Sequence, residues 1–345
     1  MRRAQWIHGP VSDTALAFAW LPLALVAHAV SSTPATLRTL VGLIFLLSFA
    51  HQPLTLALVY GDRVQLEARR RLYLVAPVVL CFAVVAGLYV SLTTVAVVAG
   101  LWTAEHTLMQ RYGLTRIYGR KAGDDNGRLE KRMIISWLVL AMVFVTAFVD
   151  LERLVARIGM GGTNARGVHL LAEFRPVARW LLLPIVIAVV TLIAQWWRAE
   201  RALAVSANPA KHVYLAATAA LIAVVLIDPI AGFAGYVGGH ALEYFVIVHR
   251  SLRTRAAQGD SSVIAAATAT ARRRVATYVA YAAAIVALVM LSWDVLDGRV
   301  YGFLVLFLGG LHILYDGFIW KLRRPALAAS LGVPTMAEPS AASIA

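Results

Sequence analysis

The chain has little charge and almost no thiol. Of its 345 residues 14% are charged, against about 25% in an ordinary soluble domain. Acids are scarcer than bases, with 18 Asp and Glu facing 32 Lys and Arg and a formal net charge of +14. The single cysteine, Cys81, excludes an intramolecular disulfide and any cysteine-based metal site. There is no Walker A loop, no Gly-x-Ser-x-Gly elbow, no His-Glu-x-x-His pair and no Asp-rich diphosphate motif, which removes the nucleotide, serine-hydrolase and zinc-protease classes that those patterns mark. No small-residue cleavage site follows Met1-Arg2-Arg3, so a cleavable signal is not expected.

Apolar residues are abundant. Hydrophobic residues make up 60% of the chain and the mean hydropathy is +0.73. A water-soluble protein of this length could not hide so many apolar side chains, and the long unbroken runs are those of helices rather than of barrel strands. The expected fold is all-α, a polytopic membrane bundle of about ten helices. Its spans fall near 13–31, 35–60, 72–91, 92–112, 133–150, 177–197, 210–227, 229–251, 275–296 and 300–320. Asp228-Pro229 separates two of them, because Asp is a good N-cap and Pro a good first helical residue. Residues 1–325 form one transmembrane domain. The Ala-, Ser- and Pro-rich stretch 326–345 reads as a disordered cytoplasmic tail. The glycine-bearing segment 151–176 has room for a short interfacial helix.

The basic residues give the orientation. With the N-terminus inside, only Arg38, Arg153, Arg157, Arg166, Arg175, Arg179 and Arg299 lie on the outer side, and the other 25 of 32 lie on the cytoplasmic side. That asymmetry places both termini in the cytoplasm, with a bacterial inner membrane as the expected site. It also accounts for the positive charge without nucleic acid, since no basic domain separates from the apolar spans.

Against this background the informative residues are polar ones inside spans. Of nine histidines, four lie well within spans that run from outside to inside: His51, His106, His240 and His312. They stand 11, 5, 10 and 9 residues before the first inner-side charge (Asp62, Arg111, Arg250 and Lys321). At ~1.5 Å per residue they share a depth to within about two helical turns. Three have polar companions one turn on: Gln110 after His106, Glu243 and Tyr244 after His240, and Tyr315 and Asp316 after His312. Spacings of three and four put such pairs on one helix face, as in bundle metal sites. Ionisable groups in hydrocarbon cost several kcal/mol unless paired or ligated, so four imidazoles and two carboxylates at one depth point to a shared cation. The candidate metal ligands are His51, His106, His240 and His312. Glu243 and Asp316 are the candidate catalytic carboxylates, acting as extra ligands or bases. Gln110, Tyr244 and Tyr315 are their expected hydrogen-bond partners. Without thiolate, iron leads and zinc follows.

Below two of these histidines the helices continue into aromatics and cations. Arg111 and Arg116 follow His106, and Lys321 and Arg323 follow His312. These four are candidate grips for an anionic head group, alongside the plainer roles of interfacial belt and positive-inside anchor. Each of the four histidines is followed at the fourth position by a polar group, the first being Thr55 after His51. Pro53 is expected to bend the second span. Gly232, Gly235, Gly238 and Gly239 would let helices approach closely.

The stretches His106-x-x-x-Gln110-Arg111-Tyr112-Gly113 and His312-x-x-x-Asp316-Gly317-Phe318-Ile319-Trp320-Lys321 resemble motifs of polytopic bacterial membrane proteins, a resemblance that carries no activity with it. The four intramembrane histidines, in number and placement, also resemble those of the Brp/Blh-type membrane carotenoid dioxygenases. Those enzymes bind a non-haem iron with four histidines drawn from several membrane helices, and the resemblance implies that reaction class without naming a substrate. The leading expectation is a non-haem metal-dependent oxidoreductase acting on a hydrophobic substrate within the bilayer. The rivals are a transporter or channel using His, Glu and Asp as an ion or proton relay, a haem-binding electron carrier, and an assembly protein whose histidines only bond between helices.

Overall fold

The structure is a computed structural model that describes residues 5–124, 127–159, 161–203, 207–292, 298–321, 328 and 331–333. Among them there is no strand. Fifteen helices follow in order: α1 (Pro10–Ala17), α2 (Trp20–Ala29), α3 (Pro34–Tyr60), α4 (Arg63–Glu67), α5 (Arg70–Val90), α6 (Leu92–Lys121), α7 (Gly127–Phe148), α8 (Leu151–Arg157), α9 (Gly161–Glu173), α10 (Arg175–Ala202), α11 (Pro209–Ile227), α12 (Pro229–Ala257), α13 (Val263–Ala267), α14 (Ala271–Met290) and α15 (Gly298–Ile319).

Local chemistry sets the boundaries. Pro10, Pro34, Pro209 and Pro229 each stand in the first helical turn, where a missing N–H costs nothing. Asp228 ends α11 and caps α12, its Oδ1 accepting the Ala231 N–H at 3.1 Å. Its other oxygen takes His28 Nδ1 at 2.7 Å, so that histidine serves the helix break. Asp62, Asn208, Ser262 and Thr270 cap their helices in the same way. α3 runs through Pro53 as one continuous helix. The segment after α7 carries two short helices, α8 and α9, where one was expected.

Seven helices are long and apolar enough to cross a membrane. They are α3, α5, α7, α10, α11, α14 and residues Val300–Ile319 of α15. An eighth span results if α1 and α2, bent by 43°, count as one. The expected ten is thus not reached on these criteria. The two remaining expected spans, 92–112 and 229–251, coincide with α6 and α12. These are long enough but are the helices that carry Gln110 and Arg111, and Glu243. Their polar groups are what lowers their apolarity. The outward faces of α5, α10 and α14 are apolar and exposed (Val79 and Phe82, Leu183 and Val190, Val279 and Val286). Buried polar and charged side chains, among them Arg111, Glu130, Lys211 and Glu243, meanwhile share the interior with apolar ones. This inversion of the soluble pattern marks a membrane protein.

The glycine face of α12 sets the closest helix approach. A Cβ on Gly239 would lie 2.7 Å from Trp20 Cβ, and one on Gly238 2.4 Å from Leu23 Cδ1. Only glycine lets α2 lie this near α12. Around that pair, α12 touches α3 and α6, and α15 touches the same two helices. α3, α6, α12 and α15 therefore form a ring, and each contributes one of the four intramembrane histidines. Within the stretch expected to be a tail, Ala328, Leu331 and Val333 are buried against Leu16, Leu114 and Tyr118. The rest of that stretch lies outside the described residues.

Candidate metal centre

The ring of helices turns all four histidines inward. His51, His106, His240 and His312 are buried, at 2%, 8%, 4% and 2% exposure. His312 Nε2 lies 3.1 Å from His51 Nε2 and 3.0 Å from His106 Nε2. The rings meet edge to face, with interplanar angles of 84° and 82°. His240 stands edge-on to His51, with ring centroids 4.7 Å apart, and to His106 at 5.1 Å. Two imidazole nitrogens bound to one ion at ~2.0–2.1 Å and at angles of about 90–109° sit roughly 2.9–3.4 Å apart, the spacing seen here. Ligand atoms of His51, His240 and His312 form one group that could hold a metal ion, and those of His106, His312 and Asp316 form another, sharing His312.

The proton inventory points the same way. Thr55 Oγ1 donates to Asp316 Oδ1 at 2.9 Å and stands 2.7 Å from His312 Nδ1. Thr55 Oγ1 also contacts Tyr244 Oη, so two hydroxyl protons serve three contacts among Thr55, Tyr244 and Asp316. His312 Nε2 faces two more imidazole nitrogens, and as donor or as acceptor it cannot satisfy both in good geometry. His240 Nδ1 is buried without a hydrogen-bond partner. A cation amid these nitrogens would remove the conflict, so the donor set fits a metal.

Asp316 adds charge at the rim of the cluster. Its Oδ1 accepts from Thr55 and, at 3.0 Å, from Tyr244 Oη. Its Oδ2 faces His106 Nε2 and His312 Nε2, 3.8 Å from each. Thr55, Tyr244 and Asp316 are each the fourth residue after a histidine, and they bond to one another. Gln110, the fourth such residue, donates to the His240 carbonyl at 3.0 Å and to Glu243 Oε2 at 3.2 Å. The recurrence thus forms a layer one turn below the imidazoles. Thr55 was missed as a site residue, although its spacing from His51 is the signal that finds it. Two tyrosines steady the helices just above: Tyr236 donates to the Ala104 carbonyl at 2.5 Å, and Tyr281 donates to the Ala50 carbonyl.

Several expected site residues face elsewhere. Glu243 is fully buried but is paired with Arg111 rather than with the histidines. Arg111 is 2% exposed. It spends its other donors on Thr218 Oγ1 and the Ala17 carbonyl, and its guanidinium lies over the Tyr214 ring at 4.8 Å. It is therefore an internal counter-ion to Glu243, not a head-group grip. The same correction holds for Arg116, which bonds to Glu130 Oε2 at 2.9 Å and to the Asp124 carbonyl at 2.6 Å. Both lie on helix faces that turn into the bundle, a matter their loop-side position did not reveal. Tyr315 also turns away from the histidines and bonds to Tyr60 and to the Tyr73 carbonyl. Lys321 stays at the mouth, where it lines the cavity described below. Arg323 lies outside the described residues.

A third acidic group, Asp124, Glu130 and Glu200, already surrounds a cation. Lys211 Nζ lies 2.6 Å from Asp124 Oδ2 and 2.9 Å from Glu130 Oε1, and it also bonds to Glu200. The ammonium takes the place that an ion would need. His212 pairs with Glu200, His249 Nδ1 faces the Tyr278 hydroxyl, and His169 faces Glu152 and Glu173. None of these histidines reaches the central cluster.

A cavity of about 260 Å³ runs from His106 and Asp316, past Gln110, Tyr112 and Tyr244, to Trp320 and Lys321 at the C-terminal end of α15. Its walls are otherwise apolar, including Met109, Leu114, Ile117 and Ile247. Two haem ligands on opposite faces of one iron stand roughly 4 Å apart with bonds of about 2 Å, so imidazole nitrogens at 3.0–3.1 Å leave no plane for a porphyrin.

No family model matches the chain, and neither a curated protein nor a solved structure matches it. The resemblances drawn from its motifs rest on those residues alone.

Proposed function

We propose that the protein is a membrane-embedded, metal-dependent oxidoreductase of the non-haem iron type, acting on a hydrophobic substrate. The observation that carries this reading is the approach of two Nε2 atoms, of His51 and His106 on helices far apart in sequence, to within 3.0–3.1 Å of His312 Nε2. His51, His106, His240 and His312 would hold the ion, and Asp316 Oδ2 stands beside it. When bound, iron in such a set would supply redox chemistry with oxygen. The chain's own residues do the rest. Thr55 braces His312 at Nδ1, Tyr244 and Thr55 hold the Asp316 carboxylate, and the apolar cavity keeps water scarce while aligning a substrate towards His106. Asp316 is the one carboxylate near the histidines without a basic partner in its bonds described above, which makes it the candidate proton acceptor. We place both termini and the cavity mouth on the cytoplasmic side, on the strength of the basic-residue asymmetry.

The test is metal analysis with optical and magnetic spectra of the detergent-purified full chain. About one iron per chain, lost in His312→Ala and in His106→Ala, is the expected result. Absence of stoichiometric metal, or full metal content in His312→Ala, would overturn the proposal. Proton flux in proteoliposomes of metal-free protein, abolished by Asp316→Asn, would instead establish the relay reading.

A further inference from the structure

The apolar walls of the cavity end in positive charge. Leu114 and Ile117 on α6 and Tyr244 and Ile247 on α12 line it at one-turn intervals. One turn further along the same two faces stand Lys121 and Arg250. Asp13 is the acid in this neighbourhood, and the backbone N–H groups of Ile7 and His8 already bond to its carboxylate. His8 Nδ1 faces Arg250 Nη1 at 3.1 Å, which makes the imidazole an acceptor. Burial and the Arg250 guanidinium hold His8 below its ordinary value, so it adds no charge there near neutral pH. Burial and Arg250 also lower Lys121. Two partly buried cations are thus held side by side at the mouth with little counter-charge.

A piece of the chain itself lies on them. The Gly332 carbonyl accepts from Lys121 Nζ at 2.8 Å, and a Cβ on Gly332 would lie 3.9 Å from Arg250 Nη2. The preceding residue, Leu331, is 1% exposed and lines the cavity. Leu331–Val333 therefore presents an apolar group to the cavity and an acceptor oxygen to the cations. These are the two parts of an amphiphile.

We propose that Lys121 and Arg250 hold the oxyanion head, phosphate or carboxylate, of an amphiphilic substrate whose apolar chain fills the cavity towards His106 and Asp316, and that Leu331–Val333 occupies the same place as an internal competitor. This names the substrate class of the reaction proposed above and rests on that reading only for the chemistry at the buried end. Binding itself needs no metal.

The experiment is native mass spectrometry of the full chain in neutral detergent, stripped of metal by chelation, titrated with dodecyl phosphate, dodecanol or inorganic phosphate. Dodecyl phosphate is expected to bind at least tenfold more tightly than either of the others. Lys121→Gln with Arg250→Gln should lower its affinity at least tenfold, while Lys121→Arg with Arg250→Lys retains most of it. Gly332 has φ +66°, which a β-branched residue does not adopt. Gly332→Val should therefore dislodge the segment and raise the affinity severalfold. Equal binding of inorganic phosphate would show a free-anion site and overturn the amphiphile. Equal affinity in the wild type and the double Gln variant, with both folded by thermal unfolding, would overturn the site. Because metal is absent throughout, failure of the metal reading leaves these outcomes intact.

Discussion

Thr55 and His312 lie on helices separated by more than 230 residues of chain, and their side chains meet at 2.7 Å. Thr55 also bonds to Asp316 and contacts Tyr244 Oη, while His312 Nε2, across the ring, faces His51 and His106. A neutral hydroxyl thereby braces the central imidazole on the side away from the other histidines.

Removing that hydroxyl while keeping its shape should loosen metal without unfolding the bundle. Partners that orient a ligating histidine are worth about 10–100-fold in metal affinity. Thr55→Val is expected to lose affinity in that range in a competitive chelator titration, and Thr55→Ser to retain it. An unchanged titration for Thr55→Val would show that His312 needs no such partner.

The two buried carboxylates should separate by readout. Breaking a buried ion pair by removing one charge costs about 3–5 kcal/mol. Glu243→Gln leaves Arg111 unpaired and is expected to lower thermal stability markedly while purified protein keeps its metal. Asp316→Asn should do the reverse, weakening metal binding with a smaller effect on stability. Loss of metal in Glu243→Gln at temperatures where it is folded would return Glu243 to the site.

Close packing of α2 on α12 predicts a steric effect. Overfilling a packed contact costs typically 1–3 kcal/mol and more where the backbone must move. Gly239→Val would press on the Trp20 backbone and side chain. It should lower the unfolding temperature in detergent, whereas Gly113→Ala, with open space at that position, should not.

Lys211 predicts its own pH-independent test. Its ammonium sits among Asp124, Glu130 and Glu200 at zero exposure. Lys211→Met leaves three carboxylates facing Arg116 and His212, and a loss of about 3–5 kcal/mol is expected. Thermal unfolding with and without added calcium checks it: restoration by the ion would show that the carboxylates behave as a cation site once the lysine is gone.

The sequence alone determined the all-helical membrane class, most helix boundaries and the depth of the four histidines. Each of these is a local or one-dimensional property. Apolar run length, caps and prolines act within a few residues, and depth is residue count times rise. Their i+4 companions were legible too, since one turn of helix fixes which side chains share a face. What a face looks at is a different question. Arg111 and Tyr315 each follow a cluster histidine closely in sequence, yet Arg111 turns to Glu243 and Tyr315 to Tyr60 and Tyr73. Lys121 and Arg250 looked like ordinary inner-side charge until α6 and α12 set them together. The order of helices around the ring, and the rotation of each about its axis, are settled by contacts between residues far apart in the chain, such as Gly239 against Trp20. Only the tertiary structure could therefore bring three imidazole nitrogens together, keep Asp316 and not Glu243 as the carboxylate beside them, and set Thr55 against His312.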